Sequence, residues 1–189
     1  MTLVSGVILV QLVSRGQPET GTAGETKIKM KNEVNSNSTR IGNLSANVPD
    51  TWTGIRPSSS MRLMEFRLGV AADDATLAIF KHIGGTIDNN LERWSGQFGY
   101  SLSDSEVNIR AENINGMQVS IISILGTYTN TMAFSDATQP KPNYRLLGAI
   151  ADTPDGLYYF KLTGPNTVIT GRIEEFTLFI QSLRYDKIG

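Results

Sequence analysis

The sequence predicts an α+β domain with a mainly antiparallel β-sheet and helices packed on its faces. Three observations carry that prediction. Period-two alternation marks residues 61–68 and 75–83 as neighbouring strands joined by a short polar turn. Two stripes at helical spacing, Ile87/Leu91/Trp94/Phe98 and Ile169/Ile173/Phe176/Ile180/Leu183, stand apart from the strands rather than alternating regularly with them. Turn formers at Thr153-Pro154-Asp155-Gly156 join two further β-rich runs, 144–151 and 157–162, into a hairpin.

Taken in order, Ile41, Leu44, Ala46 and Val48 form a short opening strand that ends at the Pro49-Asp50 turn, just before Trp52. Residues 61–68 (MRLMEFRL) place Met61, Leu63, Glu65 and Arg67 on one face and Arg62, Met64, Phe66 and Leu68 on the other, which is mostly apolar. Ala72-Asp73-Asp74 turns the chain into 75–83, and His82 falls on that strand. Gly84-Gly85 then releases the chain into a helix capped by Thr86 or Asp88 and ended by Gly99. Residues 117–127 carry apolar groups on both faces, as a strand covered on both sides does. Residues 130–143, polar and with Pro140 and Pro142, read as an excursion loop. Gly164-Pro165-Asn166-Thr167 opens one last helix.

The 189 residues divide into three parts: 1–14, an export signal or apolar segment; 15–40, a flexible polar linker; and 41–189, a single domain. The apolar run 3–13 (LVSGVILVQLV) has the length of a signal-peptide core and is too short to span a bilayer. Its first basic residue, Arg15, follows the run, whereas the basic region of an export signal precedes it. Three readings stay open: a signal with a mis-assigned start, a signal of atypical charge, or a buried element of the domain. The linker, rich in Gly, Thr, Ser, Asn and Lys and without aromatics, suits a tether near a membrane.

Composition narrows the chemistry. With no cysteine, thiolate nucleophiles, thiolate zinc sites, iron–sulfur clusters and lipidated cysteines are all excluded. A single histidine, His82, excludes centres built from two or three imidazoles of one chain. The net charge of −1 gives no general attraction to phosphate backbones, so nucleic acid is not an expected partner. Nucleotide-binding, nucleophile-elbow and zinc-protease motifs do not occur, and no cofactor and no metal is expected.

What remains is a set of contact candidates. Ser58, Ser59 and Ser60 follow Arg56-Pro57 in a loop, and His82 on a neighbouring strand is the one imidazole that could activate a serine. The plainer reading is that these hydroxyls bond local backbone and shape the turn. Gly84 and Gly85 could present backbone N–H groups to an anion at a helix start, or simply supply unusual dihedrals. Trp52, if exposed, would contact a partner. Asp73-Asp74 reads as a solvated turn rather than a cation site.

The stretches PSSSMRLMEFRL (57–68), GGTIDNNLERWSGQF (84–98), NYRLLGAI (143–150) and YYFKLTGP (158–165) together resemble an uncharacterised family of bacterial secreted proteins and lipoproteins. The resemblance implies a PsbP-like α/β/α sandwich, similar to an extrinsic photosystem II subunit and to a Ran-binding nuclear import factor. Relatives of that kind act by binding other proteins, and the resemblance supplies no catalytic residues. This chain departs from the lipoproteins in having no acceptor cysteine after its apolar run.

The expectation is therefore a non-catalytic accessory or protein-interaction domain, periplasmic, envelope-associated or secreted. Its partner would be another envelope protein, and its N-terminal segment would bring it near the membrane. The alternatives are a small-ligand binder using a sheet–helix cleft near residues 84–88, or an unrecognised hydrolase.

Overall fold

In a computed structural model, which describes residues 38–69, 75–129 and 139–186, the chain opens with two short strands where one was expected. β1 (Ser38–Ile41) begins inside the stretch read as linker and pairs with β2 (Leu44–Asn47) around Gly42-Asn43. Gly42 has φ +63, and a Cβ there would lie 2.8 Å from the Tyr158 hydroxyl, so both conformation and space require glycine. Export-signal residues 1–14, most of the linker, the Ala72-Asp73-Asp74 turn and loop residues 130–138 lie outside the described residues.

The remaining elements are β3 (Trp52–Ile55), β4 (Arg62–Leu68), β5 (Ala75–Lys81), α1 (Ile87–Gly96), β6 (Val107–Ile114), β7 (Met117–Tyr128), β8 (Lys141–Thr153), β9 (Gly156–Pro165), α2 (Asn166–Thr170), α3 (Ile173–Gln181) and β10 (Arg184–Tyr185). Seven strands form one antiparallel sheet in the order β3-β4-β5-β9-β8-β7-β6, and β10 joins the opening hairpin as β1-β2-β10. The predicted hairpin across 153–156 is the β8–β9 pair, in register from Thr153↔Gly156 to Tyr144↔Pro165.

Alternation divides the core in two. On one face Val119, Ile121, Leu147, Phe160 and Leu162 pack against Ile169 of α2, Phe176, Phe179 and Ile180 of α3, and Ile41 and Leu44 of the small sheet. On the other, Ile122, Ile124, Leu146, Ile150 and Tyr159 meet Leu91 and Trp94 of α1, with Phe98 beyond its end. A Cβ at residue 148 would lie 2.5 Å from the Trp94 ring, so Gly148 is what lets α1 sit this close to the sheet. Helices thus cover both faces of an antiparallel sheet, which is the predicted α+β class.

Three local expectations change. The last helix is two: β-branched Thr167, Val168, Ile169 and Thr170 favour helix weakly, Gly171 ends α2, and α3 restarts after Arg172, leaving Ile173 38% exposed instead of in the stripe. His82 lies beyond the end of β5 with φ +59, not on the strand. β8 starts at Lys141, inside the expected loop; Pro142 is tolerated because β9 pairs with β8 only from Tyr144 onward, so this end of β8 has one neighbour.

Candidate functional site

α1 lies over β7, β8 and Tyr159 of β9, and the same sheet face is left open over β4 and β5. Alternation on β9 sends Tyr159, Lys161 and Thr163 to that face, where Lys161 sits between Ala78 of β5 and Gly148 of β8. Two cavities of about 440 and 480 Å³ adjoin there, sharing Met61, Phe80, Gln97 and Lys161 as common wall. Together they form a groove running from Tyr128 and Tyr144 to Arg93 and Ile83.

Lys161 is the groove's central group. Its ammonium donates to Oε1 of Gln97, the residue just past the end of α1, and lies 5.5 Å from the Tyr128 ring centre. Gln97 is itself buried, and its backbone carbonyl accepts from the Thr129 N–H at 2.8 Å. The cation is thus met by a side-chain amide oxygen just past the end of α1. Burial, then the nearby charges of Arg93 and Arg62, push the Lys161 amine down to about 7.

Glu65, 5% exposed, is the carboxylate of the groove. It accepts from the Ser58 backbone N–H at 2.7 Å and from Arg62 Nη1 at 2.5 Å. A register irregularity between Arg62 and Met64 turns Arg62 onto the groove side, where its guanidinium lies 5.8 Å from the Phe80 ring centre. Tyr128 and Tyr144 stack at 6.0 Å, and burial raises the Tyr128 hydroxyl, with Arg62 opposing and Tyr144 adding. Among the described residues, five basic side chains (Arg62, Lys81, Arg93, Lys141 and Lys161) line the two cavities against one carboxylate.

The structure brings some of the predicted contact residues to this groove and places others elsewhere. Ser59 lines the first cavity, and Ser60 and His82 the second. The hydroxyls of Ser58 and Ser59 make local bonds, to Glu65 and to the Met61 N–H, and no hydrogen bond links His82 to any of the three serines. Arg56 stands exposed beyond β3. Trp52 is buried, its Nε1–H donating to Glu175 Oε2 at 2.8 Å and its ring 5.0 Å from Phe179, so it packs in the core rather than at a contact surface.

Gly84 and Gly85 have φ of +73 and +79 and sit at the opposite end of α1 from Gln97. Thr86 and Asn89 cap each other's backbone N–H there at 3.1 and 3.2 Å, so side chains of the chain itself take up this helix start. The second cavity reaches His82 and Ile83, just before Gly84, and extends along α1 past Arg93 and Trp94 to Gln97, while Gly84 and Gly85 themselves do not line it.

Sequence reasoning passed over Lys161, Glu65, Arg62, Arg93 and Gln97. The available signal was a charged residue in the middle of an apolar strand, Lys161 in YYFKLTG and Glu65 in LMEFRL, since such residues are rarely buried without a purpose or a partner.

A second polar cluster is structural. Asp155, in the β8–β9 turn, accepts from Lys81 Nζ at 2.7 Å, Asn43 Nδ2 at 2.6 Å and Thr153 Oγ1 at 2.6 Å. Burial would raise its carboxyl, but the bond to Lys81, followed by Thr153, the Lys81 charge and Asn43, outweighs burial and holds it at about 2. This cluster fastens the Gly42-Asn43 turn to the large sheet.

Fold and site together define an antiparallel α+β sandwich with a cation-lined groove beside one helix. The solution structure of cyanobacterial PsbP (CyanoP) from Synechocystis sp. PCC 6803 is similar over 76% of this chain and 86% of that chain, at 13% identity and a TM-score of 0.48. No protein-family model and no curated protein matches the chain. Among the described residues, no group of three or more His, Asp or Glu could hold a metal ion, and no helix is long and apolar enough to cross a membrane.

Proposed function

We propose that the chain is a non-catalytic accessory domain of the bacterial envelope that acts by binding, and that the groove beside the end of α1 is its recognition surface. One observation carries this reading: a concave, aromatic-walled groove has a largely buried lysine at its centre, tied to the amide of Gln97 rather than to a nucleophile or an acid. A binding site needs convergent polar groups in a preformed cavity, and the groove has them. Ser60 and His82 share its wall without a mutual hydrogen bond, which favours recognition over serine chemistry.

The envelope setting rests on the apolar run 3–13 and the polar stretch after it, and membership of the secreted family rests on the four stretches quoted above. Mass spectrometry of the N-terminus of the protein recovered from envelope and cytoplasmic fractions tests the location. A chain that begins at Met1 and is confined to the cytoplasm refutes it.

For the groove, isotopically labelled protein is exposed to fractionated cell extract, and the backbone amide signals that shift are mapped. Shifts centred on Met61, Phe80, Gln97, Tyr128 and Lys161 are expected. A footprint that avoids these residues overturns the reading.

A further inference from the structure

The groove holds more positive charge than its own acids answer. Arg62 is paired with Glu65, and Lys81 with Asp155. Arg93 and Lys161 are different: the guanidinium of Arg93 donates to the amide oxygen of Asn90, and Lys161 to that of Gln97. Among the described residues no carboxylate meets either one. Two basic groups side by side in a partly open cavity, held by neutral acceptors, form a site short of negative charge.

The wall beside them is apolar. Arg93 and Lys161 line the second cavity together with Phe80, Ile83, Met61 and Trp94. Its volume of about 480 Å³ lies in the range that takes a small molecule, and a protein segment would need a longer open surface.

Resting on the groove as the recognition surface, we infer that it binds a small organic anion, a carboxylate or a phosphate monoester with an aromatic or apolar body. The anionic head sits between Lys161 and Arg93, and the body lies against Phe80 and Ile83. Binding supplies the counter-charge that Asn90 and Gln97 lack, and so favours the ammonium form of Lys161. Uptake of a proton on binding is therefore part of the inference.

The test uses the whole chain with four aromatic probes of similar size: benzoate, phenyl phosphate, neutral benzamide and cationic benzylamine. Inorganic phosphate serves as a head without a body. Binding is followed by amide shifts and by the titration of the Lys161 side chain, read by carbon-detected NMR.

Benzoate or phenyl phosphate is expected to shift groove residues saturably and to move the Lys161 titration upward by about one pH unit, a tenfold preference for the charged form. Which of the two binds more tightly distinguishes a carboxylate head from a phosphate head. Inorganic phosphate is expected to bind more weakly than phenyl phosphate. Lys161→Met and Arg93→Gln are each expected to weaken binding about tenfold or more, with Arg93→Gln keeping the test open if the first variant misfolds.

Benzamide or benzylamine binding in the groove as tightly as the anions overturns the anion inference and leaves the groove as the recognition surface. Unchanged affinity in both variants, or no groove shift with either aromatic anion, also overturns the anion inference. If the extract footprint falls elsewhere as well, both fail.

Discussion

Replacing Lys161 by methionine should make the protein more stable at pH 6 and slightly less stable near pH 10. The amine sits at about 7 in the folded chain against an ordinary 10.5, so the unfolded chain binds more protons between those values. Wild-type stability from this group therefore rises with pH across that window, and below pH 7 the folded state carries the full cost of a buried cation. A separation of roughly 3.5 units at 1.36 kcal/mol each sets a ceiling of about 5 kcal/mol. Against it, the methionine variant leaves Gln97 Oε1 without its donor, at about 1–3 kcal/mol.

The expected net effect is about 2–4 kcal/mol of stabilisation at pH 6, falling to a loss of up to about 2 kcal/mol by pH 10. Urea unfolding of both proteins at several pH values, with m compared to confirm that the same surface is exposed, measures the difference. A difference that stays constant from pH 6 to pH 10 would refute the reasoning, because it would mean that the amine titrates alike in folded and unfolded chains.

Other outcomes follow from the same geometry. The Asp155 carboxyl, held at about 2 against an ordinary 3.8, contributes stability that is present above pH 4 and lost as pH falls through 2. With its partial exposure, that contribution is about 1 kcal/mol, and acid titration of Asp155→Asn beside the wild type should show the two converging below pH 2. Gly148→Ala should cost about 1–3 kcal/mol in thermal unfolding and change the near-ultraviolet dichroism of Trp94, since its methyl meets the indole; unaltered stability and dichroism would mean that α1 sits farther from the sheet. Trp52→Phe keeps the ring packing but removes the donor to Glu175, with an expected loss of about 1–3 kcal/mol by urea unfolding, and a neutral result would argue that water replaces the bond.

The strands of the large sheet were legible where alternation was regular and turn formers stood between the runs, Pro154 and Gly156 in β8–β9 and Ala72-Asp73-Asp74 in β4–β5. What escaped had a physical reason in each case. β3 is four residues long, too short for a hydrophobic period, and β6 is an edge strand whose apolar stripe is short, Val107, Ile109 and Ala111 against Asn108, Arg110 and Glu112, and broken by Asn113. The Gly42-Asn43 turn was hidden inside a run read as one strand, although Gly-Asn is a hairpin signal. At the site, Ser59, Ser60 and His82 were found through their chemistry, whereas Lys161 and Gln97 meet only when β9 and the end of α1 come together, 64 residues apart in sequence. Arg62 depends on a strand irregularity that strict alternation cannot express; the period alone already set Arg62 opposite Glu65.

Ser45 of β2 lies between Arg40 of β1 and Arg184 of β10, so both ends of the described chain leave from one three-stranded patch. That patch packs with α3 on one face of the large sheet, and the groove opens on the other. Immobilising the domain on a surface through Ser38 or through Asp186 therefore turns the groove away from the support. A fusion or an anchor attached at either position holds the domain from behind and leaves Lys161 facing solution.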